Sequence, residues 1–87
     1  MIIETSSGIG TIRFEDGEEF AGKEAYFEGE RVTGGFQFSK QSLRWLVFDE
    51  EKSVKRTVTM DEVAIKRLIP YILSEGIKQG YKFELWD

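Results

Sequence analysis

Hydrophobic residues recur every second position through most of the chain and every third or fourth position near its end, so short strands come first and one helix follows. In Thr11-Ile12-Arg13-Phe14-Glu15 apolar and polar residues alternate. The Asp16-Gly17 that follows suits the positive φ of a tight hairpin, with Glu18 to Ala21 returning as its second arm. Glu24-Ala25-Tyr26-Phe27-Glu28 predicts a strand ended by Gly29. Thr33-Gly34-Gly35 predicts a turn before Phe36-Gln37-Phe38, whose two rings must share one face of a pleated strand and belong in a core. Ser42 to Phe48 predicts a strand with Leu43, Trp45 and Val47 on one face and Arg44, Leu46 and Phe48 on the other. Asp49-Glu50-Glu51-Lys52 then reads as a polar turn, and Ser53 to Val58 as the antiparallel partner of the strand before it.

Thr59-Met60-Asp61-Glu62 has the S/T-x-x-E form of a capping box, in which the Thr59 hydroxyl and the Glu62 carboxylate would satisfy free amides at a helix start. Ile65, Leu68, Ile69, Ile72 and Leu73 form one apolar stripe beyond it, with Lys66, Arg67, Pro70 and Ser74 off the stripe. Pro70 removes a donor on the wet side, which predicts a bent helix rather than a broken one. Gly76 or Gly80 can supply the left-handed residue that stops it, and Tyr81 to Trp86 alternates again as a last strand whose partner the pattern leaves open. The expected architecture is α+β: a mostly antiparallel twisted sheet of short strands packed on one C-terminal amphipathic helix, followed by a final strand. It forms a single globular domain over residues 1–87.

Composition narrows the chemistry. The chain has neither Cys nor His, which removes thiol nucleophiles, imidazole bases, disulfides and zinc sites built from those ligands. Glu28 with Glu30, and Asp49 with Glu51, are carboxylate pairs two residues apart. General acid and base work, however, needs a cleft that splits their pKa values, and 87 residues leave little interior to spare for one. Gly8-Ile9-Gly10 and Gly34-Gly35 lack the Lys-Ser/Thr of a phosphate loop, and Asp49-Glu50-Glu51 lacks calcium-loop spacing. No catalytic residue, metal ligand or cofactor site is expected, and the chain is not expected to be an enzyme.

A net charge of −4 opposes binding to duplex nucleic acid, which rewards clustered Lys and Arg. No apolar run approaches the length of a membrane span, and the N-terminal residues lack the pattern of a secretory signal, so a cytoplasmic location is expected. Trp45, Trp86, Tyr26 and Phe27 could stack on bases, but an acidic chain offers no basic surround for a backbone, and core packing is the preferred reading.

Several segments in order carry a resemblance: M-I-I-E at the start, F-E-G-E followed by G-G-F, S-L-R-W, the helical I-K-R-L-I-P-Y-I and a closing Y-K-F-E-L. The chain resembles the immunity protein 74 family of bacterial polymorphic toxin systems. Glu30, Gly34, Gly35, Phe36, Trp45, Ile65, Leu68 and Ile69 are the matching positions. The resemblance implies a protein that binds a cognate toxin domain and blocks its active site or its access to substrate. Many such toxins are nucleases with basic surfaces, which an acidic inhibitor would complement. On this reading Glu28, Glu30, Asp49, Glu50 and Glu51 bind the toxin and Trp45 is an aromatic anchor. The rival expectation is a small nucleic-acid or ligand-binding domain using Phe36, Phe38, Trp45 and Trp86 on an open sheet face. A third is an accessory domain that works only as an oligomer; the oligomeric state is left open.

Overall fold

The structure, a computed structural model, describes all 87 residues. In chain order the strands are β1 (Ile2–Ser6), β2 (Ile9–Arg13), β3 (Glu24–Val32), β4 (Gly35–Phe38), β5 (Arg44–Asp49) and β6 (Val54–Thr59). The helix α1 (Glu62–Gln79) and the strand β7 (Lys82–Leu85) follow. The α+β expectation holds: six of the strands join through antiparallel pairs, one helix covers the sheet, and β7 comes last.

Everything is organised on β3, the longest strand. One of its edges pairs with β2, which pairs in turn with β1. Its other edge is shared by two partners, β5 opposite Glu24–Tyr26 and β4 opposite Gly29–Val32. Between them lies a 3-10 turn at Lys40–Ser42. The sheet therefore forks. One branch is the β5–β6 hairpin, and the other is β4 with β7.

At the fork a side chain replaces the missing ladder rung. The Glu28 amide donates to Ser42 Oγ at 2.8 Å, the Ser39 amide donates to the Glu28 carbonyl at 3.3 Å, and Ser42 Oγ donates to the Ser39 carbonyl at 2.7 Å. Both backbone groups of Glu28 are thus satisfied without a strand on that edge of β3.

Twelve apolar residues form the core: Phe27, Phe36, Phe38 and Phe83 at its centre, with Ile12, Phe14, Ala25, Leu43 and Met60 around them and Ala64, Leu68 and Ile72 from the helix. The Phe27 ring stands 4.8 Å from Phe38 and 5.7 Å from Phe36, spacings at which tilted and edge-on ring pairs attract. The expected stripe on α1 is present but turned: Leu68 and Ile72 are fully buried with Ala64 and Gly76, while Ile65, Ile69 and Leu73 flank them half-buried.

Four sequence readings need correction, and one left open between two residues is resolved. Glu18–Ala21 is not a strand. Residues 14–23 fold as successive turns that carry Phe20 against Phe14 and Trp45, and the hairpin partner of β2 is β1, joined through Ser7 and Gly8, both with positive φ. Gly29 does not end its strand. A Cβ there would lie 1.9 Å from the Gln37 carbonyl oxygen, so β3 continues through a residue with no side chain to collide. Ser42 and Leu43 belong to the 3-10 turn and its end, and β5 starts at Arg44. The helix cap is Asp61, whose carboxylate accepts from the Ala64 amide at 2.8 Å; Thr59 is the last residue of β6, paired with Arg44. Of the two candidate stop residues, Gly80 is the left-handed one, while Gly76 lies inside the helix beneath Phe83.

The helix runs unbroken through Pro70, which is exposed. The partner of β7 is β4, and the pair is parallel.

Candidate protein-binding surface

The alternation of β3 and β5 decides where the candidate residues point. Glu24, Tyr26, Glu28 and Glu30 share one face of β3, and the register Glu24↔Leu46 and Tyr26↔Arg44 puts Arg44, Leu46 and Phe48 on that same face. Trp45, Val47 and Asp49 lie on the opposite face, toward the helix.

The six predicted residues therefore do not form one patch. Glu28 and Glu30 are exposed on the outer face of β3; the Glu28 carboxylate accepts from the Tyr26 hydroxyl at 2.8 Å, which raises the Tyr26 pKa above its usual value. Tyr26 stands opposite Arg44, so Glu28 lies two residues to one side of that rung and Asp49 five to the other. That is about seven steps, or roughly 23 Å at strand rise. Asp49, Glu50 and Glu51 sit together at the far end of the hairpin, where Asp49 caps the turn by accepting from the Lys52 amide at 3.3 Å.

Trp45 is also not a free anchor. Its ring packs edge-on against Phe20 at 5.3 Å and Phe14 at 6.4 Å, and Lys23 Nζ lies 4.7 Å from its centre. It is half-buried and closes the core beneath the 14–23 loop. The residues proposed for an open aromatic face fare no better: Phe36 and Phe38 are fully buried, and of that set only Trp86 is largely exposed.

The most exposed aromatic is Phe48, 60% exposed, and the periodicity of its strand already put it on the face away from Trp45. Val54, 51% exposed, lies opposite Asp49 and hence on the other face of the hairpin. Only three residues of β5 pair with β3, whereas all six pair with β6. The half from Val47 to Arg56 thus extends past the sheet as an arm with an apolar residue on each face and three consecutive carboxylates at its tip. Lys55 is drawn back to Glu24 at 2.8 Å, and Lys55 and Arg56 guard the unpaired edge of β6.

No polar or charged residue is buried anywhere in the chain, and every shifted pKa belongs to a surface group with an evident hydrogen-bond partner. Glu84, for example, is held below the ordinary carboxylate range by Lys82 and then Gln37. No three acidic side chains converge to the spacing of a metal site, and no helix is long and apolar enough to cross a membrane.

Comparison with protein-family models, with curated proteins and with solved structures found no match.

Proposed function

We propose that this chain is a non-enzymatic immunity protein that binds a bacterial toxin domain, and that the β5–β6 arm is the element it inserts. The observation that carries this reading is the arm itself. A hairpin that extends past its sheet with Phe48 and Val54 exposed on opposite faces, and Asp49, Glu50 and Glu51 at its tip, has the shape of a plug for a cleft. Apolar surface on both faces is covered only by a partner that surrounds it. Carboxylates at the tip favour a basic cleft and speed the approach to it.

Glu28 and Glu30 leave the central site on this reading. They belong to the outer face of β3, out of reach of a partner that encloses the arm.

The test is co-expression with the C-terminal domain of the protein encoded immediately upstream, scored by growth and by recovery of a stoichiometric complex. The expected result is protection that is lost in Phe48→Ala and in the triple reversal of Asp49, Glu50 and Glu51 to Lys, with slower association and a flatter salt dependence for the triple variant. Full protection by both variants would remove the arm from the interface. No complex and no protection with the native chain would overturn the reading.

A further inference from the structure

The fork in the sheet leaves a groove that the arm does not use. Where the β5–β6 branch and the β4–β7 branch part, the first half of α1 shows between them, and a hollow of about 520 Å³ opens there. That volume lies in the range of small-molecule sites. Ile65 and Ile69 from the helix and Leu85 from β7 give it an apolar floor, all three half-buried.

Its polar lining is mainly cationic. Lys40 comes from the 3-10 turn, Arg44 from the base of the arm and Lys66 from the helix, and none of the three forms a salt bridge. Glu62 is the single acid in the lining, and it too has no salt-bridge partner; Asp87 lies close to Lys40 but its carboxylate is engaged by the Ser39 hydroxyl and the Lys40 amide. Arg44 is half-buried, and one nitrogen of its guanidinium donates to the Gln41 and Leu43 carbonyls at 2.7 and 2.8 Å. Those bonds fix the group in place and leave the remaining donors of its fork without a protein acceptor.

We infer that this groove binds a small amphipathic carboxylate, its anionic head on Arg44 with Lys66 and Lys40 at the rim and its apolar body on Ile65, Ile69 and Leu85. The charge of the lining selects the sign of the head group, and the half-buried aliphatic floor selects the body. A fixed guanidinium pairs with a planar carboxylate more strongly than a mobile ammonium does. The inference stands apart from the toxin reading, because the groove lies at the base of the arm and its ligand touches none of the tip residues.

The test is a titration of the labelled full chain followed by amide shifts, with octanoate as the probe and acetate and octyltrimethylammonium as controls. Octanoate is expected to give saturable shifts at the groove residues, acetate none that saturate, and the cation of equal chain length none at the groove. Lys66→Glu replaces an exposed side chain without a partner and is expected to weaken octanoate about tenfold, with its circular dichroism unchanged. Arg44→Gln, a second variant, is expected to weaken it further. Equal binding of octanoate and octyltrimethylammonium, unsaturable shifts, saturable shifts confined to the arm tip, or an unchanged affinity in a folded Lys66→Glu would each overturn the inference.

Discussion

The ring of Phe27 lies directly over the backbone of Gly10, the residue opposite it on β2. A Cβ built at Gly10 would meet the ring's Cζ at 2.2 Å, so the glycine is the space in which the central ring of the core is seated. Gly29 has the same role one turn of the pleat further along β3, but there the obstacle is the Gln37 carbonyl at 1.9 Å, part of the β4 backbone. A ring can tilt where a ladder strand must separate. Gly10→Ala is therefore expected to cost about 2 to 3 kcal/mol as overpacking, and Gly29→Ala more than that, measured by urea unfolding. Equal losses in the two variants would show that the sheet yields as easily as the ring.

Asp61 and Thr59 make opposite predictions about the helix start. Asp61→Ala removes the acceptor of the Ala64 amide and is expected to destabilise the chain by about 1 kcal/mol. Thr59→Ala alters an exposed strand residue and is expected to stay within about 0.5 kcal/mol of the native chain. A larger loss for Thr59→Ala than for Asp61→Ala in thermal unfolding would return the cap to the position the S/T-x-x-E pattern favours.

Trp45 and Phe48 separate stability from binding within one strand. Trp45→Ala removes a ring packed on Phe14 and Phe20 and is expected to cost about 3 kcal/mol. Phe48→Ala, at an exposed position, is expected to change stability by less than about 0.5 kcal/mol while abolishing the protection that the proposed immunity function predicts. Chemical denaturation and the growth assay on the same two proteins check both statements. A Phe48→Ala chain that protects fully, or a Trp45→Ala chain as stable as the native one, would contradict them.

Asp87 gives a pH dependence with a definite sign. The Ser39 hydroxyl, donating at 2.7 Å, and then the Lys40 amide hold its carboxyl below the ordinary value of 3.8. Stability from this contact is present in full above 3.8 and is lost as pH falls through the depressed folded value. Asp87→Asn is thus expected to lower the melting temperature by a constant amount near neutrality, with the gap to the native chain closing below about pH 4. A gap that does not narrow in acid would place the effect elsewhere.

Much of this fold is legible in local pattern, because alternation and helical spacing are local. Phe36 and Phe38 share a face and are buried, Val54 to Thr59 pairs with β5, and α1 presents the stripe that includes Leu68 and Ile72. The features that escape the pattern are set by distant contacts. Nothing near Tyr81 signals that β7 will lie parallel to β4, since a parallel partner shares no turn with it. Glu18 to Ala21 follows Asp16-Gly17 as the second arm of a hairpin would, yet Phe20 packs on Phe14 and Trp45 and the segment folds as turns. The candidate site scattered for a similar reason. Sequence spacing placed Glu28 and Glu30 on one face but carried no register, so their distance from Asp49 became apparent only with the pairing of Tyr26 and Arg44. Phe48 could have been preferred to Trp45 from its strand face alone.

The junction at Glu28 is where the two branches of the sheet part. The arm is tied to β3 by three paired residues and the β4–β7 branch by four, and between those two ladders the backbone of Glu28 is met on that edge by Ser39 and Ser42. Along that edge no continuous ladder joins the branches; the Ser42 hydroxyl and the Ser39 amide stand in for it, while Leu43 and Met60 at the root of the arm share the core with Phe38 and Phe83. The fork is thus the one place along β3 where side-chain bonds replace a strand partner on that edge, and the exchange rate of the Glu28 amide is a direct gauge of how far the sheet opens there.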